Sequence, residues 1–226
     1  MAGVALGVVT GLEPWKSPPP PPGLMSATRA DQLKELERLR IYGIKLATEK
    51  KYTEAVSIFL RLNYVNEHDP FAYQQLASLI SGAGAVVVEK LVADGMASRP
   101  NAADADKIMG GVYYYAGKSD EAMVKVERYL AANPGDLNAT FFKGAVVRKR
   151  GDNTGAIELL KKVVEKEPTH YYAYIELQQA YETMGDKNMA TRMLGLALKN
   201  SPASKEGVCC GLPPDKKAAE KGKRKS

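Results

Sequence analysis

Apolar side chains recur at mainly three- to four-residue steps from about Ser26 to Asn200, with short polar or glycine-bearing breaks between the runs. That spacing predicts amphipathic helices; strands would alternate at every second residue. In the first run Thr28-Arg-Ala-Asp31 fits a capping box, and Leu33, Leu36, Leu39, Ile44 and Leu46 follow it. Val86-Val-Val88 is β-branched but runs into Glu89-Lys-Leu-Val-Ala, which continues it as helix.

The helical runs repeat. Pro100, Pro134, Pro168 and Pro202 are spaced by 34 residues each time. Gly117, Gly151 and Gly185 keep the same register, as do Ala122, Ala156 and Ala190, and further upstream Gly110 and Gly144. Each type has a physical task. The glycine ends the first helix of a pair in a left-handed conformation. The alanine lets two helices approach closely, and the proline cannot continue the second helix. Met109, Tyr113, Leu160, Leu177, Tyr181 and Leu194 are expected to fill the space between helices. A helix pair of this size cannot bury its face alone, so the pairs must stack.

On these residues the chain resembles the tetratricopeptide repeat family. The unit Tyr171 to Ser204 matches best, through Leu177, Tyr181, Ala190, Ala197 and Pro202. Leu137 to His170 and Ala103 to Asp136 follow. Asp69 to Ala102 has Val88 at the alanine place, and Leu36 to about His68 lacks the closing proline. The resemblance implies an all-α, helical-hairpin repeat solenoid, a right-handed superhelix of about five units. It would occupy residues 26–204, between an apolar, Pro-rich segment 1–25 and a basic tail 205–226. The 34-residue register argues against the 35-residue, RNA-reading pentatricopeptide repeat.

The resemblance also implies that the first helix of each pair lines a concave surface. On that register Arg40, Ile44, Tyr73, Ala77, Lys107, Tyr114, Phe141, Arg148, Tyr172, Ile175 and Gln179 point inward. Aromatic rings with a few cations suit a groove that clasps a peptide or a partner helix. Packing of several of these rings between repeats is the alternative. The carboxylate clamp of chaperone-binding members does not fit: Lys107 matches, but Gly111, Phe142, Tyr172 and Glu176 stand where polar partners belong.

Charge and chemistry refine the picture. Of the net charge of +6, four charges fall between Ala203 and Ser226, where seven Lys or Arg face three Asp or Glu. Cys209 and Cys210, ahead of Lys216, Lys217, Lys221, Lys223, Arg224 and Lys225, could form an acylated two-signal anchor. A solvated tail with free thiols is the alternative, and the same basic run could touch RNA or anionic lipid. Pro18 to Pro22 reads as a stiff polyproline II spacer or as a ligand for a proline-recognition module. The Met1–Leu12 stretch lacks a basic n-region and is short of the ~20 residues that span a bilayer, so a cytoplasmic location is the default.

Catalytic motifs are missing. No phosphate-cradling loop, nucleophile elbow or His–carboxylate pair on one helix face occurs, and His68 and His170 sit at repeat ends, where they are expected to finish helices. No enzyme activity, cofactor, metal or small-molecule substrate is expected. The expected role is a scaffold subunit that holds one or more proteins within a multi-subunit complex. A membrane-peripheral adaptor and an RNA- or ribosome-associated factor are the alternatives carried by the tail.

Overall fold

The computed structural model describes residues 29–97 and 104–202, with side chains from Leu33 onward. Ten helices follow one another: α1 (Arg29–Thr48), α2 (Tyr52–Val65), α3 (Pro70–Ala83), α4 (Ala85–Met96), α5 (Asp104–Tyr115), α6 (Ser119–Ala132), α7 (Leu137–Lys149), α8 (Asn153–Lys166), α9 (Tyr171–Thr183) and α10 (Lys187–Lys199). Consecutive helices pair as hairpins, and the hairpins stack into an all-α repeat solenoid. Odd-numbered helices form the inner layer, with α3 against α5, α5 against α7 and α7 against α9.

Local chemistry explains the punctuation. Gly117, Gly151 and Gly185 have φ of 74°, 95° and 81°, the left-handed region in which an L side chain is strained. Around Gly151 the amide of Gly151 donates to the Arg148 carbonyl at 2.8 Å, and that of Asp152 to Val147 at 3.2 Å. This double bond satisfies carbonyls that the end of α7 would otherwise leave open. Lys50 adopts the same conformation (φ 59°) between α1 and α2, without a glycine's freedom. Pro134 and Pro168 stand just past the ends of α6 and α8, while Pro100 lies outside the described residues. The following helices start on side-chain caps: Asp69, Asp136, Asp152 and Asp186 accept from Phe71, Ala139, Gly155 and Met189 amides.

Small residues set the helix spacing. Ala55, Ala122 and Ala156 are fully buried at hairpin contacts. A Cβ on Gly144 would approach Leu160 under 3 Å, so glycine allows α7 and α8 their close approach. Val88 stands at the alanine position of the second hairpin, which turns on Gly84 alone. One expectation needs correction: Leu194 does not fill a space between helices but is 41% exposed. It sits on α10, where no further hairpin in the described chain covers it. No described helix is long and apolar enough to cross a membrane.

Candidate functional site

The inner helices start close together. Their N-terminal ends meet around the linker between α2 and α3, and polar side chains bind them there. Lys107 on α5 donates to Glu67 of that linker at 3.0 Å and to Asp136, the cap of α7, at 3.1 Å. Asn138 on α7 donates to the Tyr73 hydroxyl at 3.1 Å and to the Glu67 carbonyl at 3.4 Å. Burial works against the charge of Lys107, but Glu67 and Asp136 outweigh it and hold its pKa above the usual value. Burial likewise pushes Tyr73 up to about 12, so its hydroxyl stays protonated.

Further along, the inner layer is filled by its own rings. Phe142 meets Tyr73, Phe141 and Tyr114 with centroids at 4.9, 5.1 and 6.0 Å. Near the C-terminal ends of α5 and α7, Glu176 from the middle of α9 ties three elements together. It accepts from the Tyr114 hydroxyl at 2.6 Å and from Arg148 Nε at 2.5 Å, and it is 6% exposed. Desolvation, reinforced by Glu176, raises the Tyr114 pKa. Lys149 donates to the Tyr114 carbonyl and lies 3.9 Å from that ring's centroid.

The row of inward residues therefore divides. Tyr73, Lys107, Tyr114 and Phe141 are buried and hold repeat to repeat. Arg148 is half-buried and committed to Glu176. Ile175 packs against the core, and Gln179 is half-buried beside it on α9. Ala77 is buried, whereas Ile44 is 42% exposed. Arg40 and Tyr172 are the two members that line an open space between helices.

That space is a cleft of about 440 Å³ between the first hairpin and the start of the last. Its apolar wall comes from Leu33, Leu36, Leu62 and Val65, with Tyr172 and Pro202 opposite. Glu37, Arg40 and Asp69 form an ionic rim. Arg40 pairs with Asp69 and lies 4.9 Å from the Phe71 ring centroid, so its guanidinium is positioned before any ligand arrives. The resemblance placed Arg40 and Tyr172 on the inward face, while periodicity marked Leu33 and Leu36 only as helix positions; winding of the solenoid is what brings the two walls together.

Behind the cleft stand the histidines. His170 caps the start of α9, its Nδ1 accepting from the Ala173 amide at 3.1 Å; it does not finish a helix. Its ring lies 4.5 Å from that of His68 and 4.8 Å from that of Phe141. Burial, with His68 beside it, drives its pKa down to about 3, so the ring is neutral. His68 Nε2 is 3.5 Å from Glu167 Oε2. His68, Glu167 and His170 offer ligand-type atoms all within 4.8 Å of one another. His68 and His170 hold the same register three repeats apart, which marks both as repeat ends but does not signal that they meet.

The proline run, Cys209, Cys210 and the basic residues Lys216, Lys217, Lys221, Lys223, Arg224 and Lys225 lie outside the described residues. Asn138 of the Asn138-Ala-Thr140 sequon is 3% exposed and hydrogen-bonded to Tyr73, which closes it to modification in the folded chain.

No family model matches the chain, and no curated protein matches it. Solved structures do. The chain is 20% identical to MamA AMB-1 with a TM-score of 0.44, over 74% of this chain and 98% of that one. Against MamA MSR-1 the identity is 23% and the TM-score 0.44, over 74% and 96%. A further crystal structure of MamA gives 19% and 0.46, over 70% and 93%. The likeness is one of helical architecture and too loose to carry any function across.

Proposed function

We propose that the chain is a non-catalytic scaffold that holds a segment of a partner protein in the cleft between α1–α2 and the start of α9. The observation that carries this reading is the cleft itself, an apolar floor with a fixed ionic rim. About 440 Å³ holds a few side chains of a helix or an extended segment. Leu33 and Ile44, on one face of α1, extend the apolar surface along it and are 47% and 42% exposed. A bound helix could continue over them. Partner contact through Arg40 and Tyr172 belongs to this reading; Tyr73, Lys107, Tyr114 and Phe141 are buried in the inner layer and do not line the cleft.

The test pairs wild type with Leu36→Arg/Tyr172→Ala in the full chain, after circular dichroism has shown equal helicity. Proteins captured from native extract are then purified and titrated against both. A groove partner should lose at least about 30-fold in affinity, as expected when an aromatic anchor is removed. Unchanged affinity would place recognition on the tails or the convex face and remove the cleft from the account.

A further inference from the structure

We propose that His68, Glu167 and His170 form a binding site for one divalent ion of the zinc class, which pins the α2–α3 linker to the α8–α9 linker. Two imidazoles and one carboxylate are a donor set for zinc and its neighbours; calcium and magnesium prefer oxygen alone. The three side chains come from two linkers three repeats apart, yet their ligand-type atoms lie within 4.8 Å. On a tetrahedral ion with bonds of 2.0–2.1 Å, ligand atoms stand about 3.3 Å apart. His68 Nε2 and Glu167 Oε2 are already at 3.5 Å. His170 has to move in by up to about 1.5 Å, within the reach of a linker.

A second observation points to a ligand. His170 Nε2, the atom that would face the ion, is buried with no hydrogen-bond partner among the described residues. Buried polar atoms are nearly always satisfied, so this orphan beside two other ligand-type side chains calls for a cause. The choice of cap points the same way. At the equivalent starts of α3 and α7 the chain uses Asp69 and Asp136, whereas α9 uses an imidazole that is 4% exposed. Capping alone gives no reason to bury that ring.

Binding carries a local consequence. Because Nδ1 of His170 accepts the Ala173 amide, the neutral ring holds its proton on Nε2. An ion at Nε2 moves that proton to Nδ1 and releases the Ala173 amide, so the first turn of α9 must adjust. Glu167, half-buried, leaves the fourth position to water. Asn66 and Asp69 flank His68, and Tyr172 follows His170; all three line the cleft. The ion therefore joins the cleft's two walls from behind.

The test uses the untagged full chain with Cys209→Ser/Cys210→Ser, since adjacent thiols take up the same ions. Zinc is titrated in competition with a chromophoric chelator, and cobalt(II) reports geometry through its visible bands. One zinc per chain is expected, with Kd of about 1 μM or below, and four-coordinate cobalt bands. The thermal midpoint should rise with zinc. His170→Asn keeps a capping side chain but is a poor ligand, and His68→Gln alters only the linker; each should lose at least about 100-fold in affinity and the thermal shift. Binding only near millimolar zinc, or binding that both variants retain, would mean an adventitious ion only and overturn the site.

Discussion

Glu176→Ala will destabilise the fold by about 3–5 kcal/mol, the range for breaking a buried, hydrogen-bonded ion pair from one side. The reason is what stays behind. Arg148 keeps its charge with its side chain only 16% exposed, Tyr114 loses its acceptor, and α9 loses its polar tie to both α5 and α7. Glu176→Gln retains an oxygen for Tyr114 but not the charge for Arg148, so it should fall between alanine and wild type. Chemical denaturation followed by circular dichroism measures the difference. Removing the exposed Arg150–Asp120 pair provides the contrast: its aspartate side chain is 90% exposed, and stability should be unchanged within error. Equal effects for the two pairs would show that the Glu176 network does not bind the inner layer.

Phe142→Ala should cost a similar amount, about 3–5 kcal/mol, through lost burial and the cavity left behind. Phe142 is 1% exposed, and its ring touches Tyr73 on α3, Tyr114 on α5 and Phe141 on its own helix. For a chain of this size the melting temperature should drop by about 6–20 °C. Val86→Ala, at a position 83% exposed, should leave it in place. The same reasoning applies to substitutions at Tyr114 and Phe141. Both are core residues, so a loss of partner binding after truncating them would report a damaged fold, and Tyr172 and Arg40 are the sound probes of the cleft.

The hairpin plan was legible because its signals are local. A glycine at φ near +90° and a proline beyond a helix end act within one turn, and their register survives in the sequence as a period of 34. The inner layer was harder. Tyr73 or Phe141 on an inward face reads the same whether it meets a ligand or the next repeat. Curvature decides, and curvature depends on contacts such as Gly111, where a Cβ would come within 3 Å of Tyr73 and Phe142. That glycine, beside Gly110, was the available hint of a tightly wound layer. Lys107 with Asp136, and Arg148 with Glu176, are complementary charges about one repeat apart and carried a second hint. The cleft and the histidine cluster depend on residues that meet only after three or more repeats have wound, and periodicity within one repeat cannot register that.

The linker between α2 and α3 also bears on how the molecule comes apart. In an open array each repeat leans on its neighbours, and the ends fray independently. Here residues 66–69 touch α5, α7 and the linker ahead of α9, so the chain forms a closed circuit with a common hub. Loss of the last hairpin is felt at the first, and excision of a middle unit would throw three partners out of step with Glu67 and His68 at once. Such a chain is not free to grow or shrink by whole units, and it is expected to melt as one body.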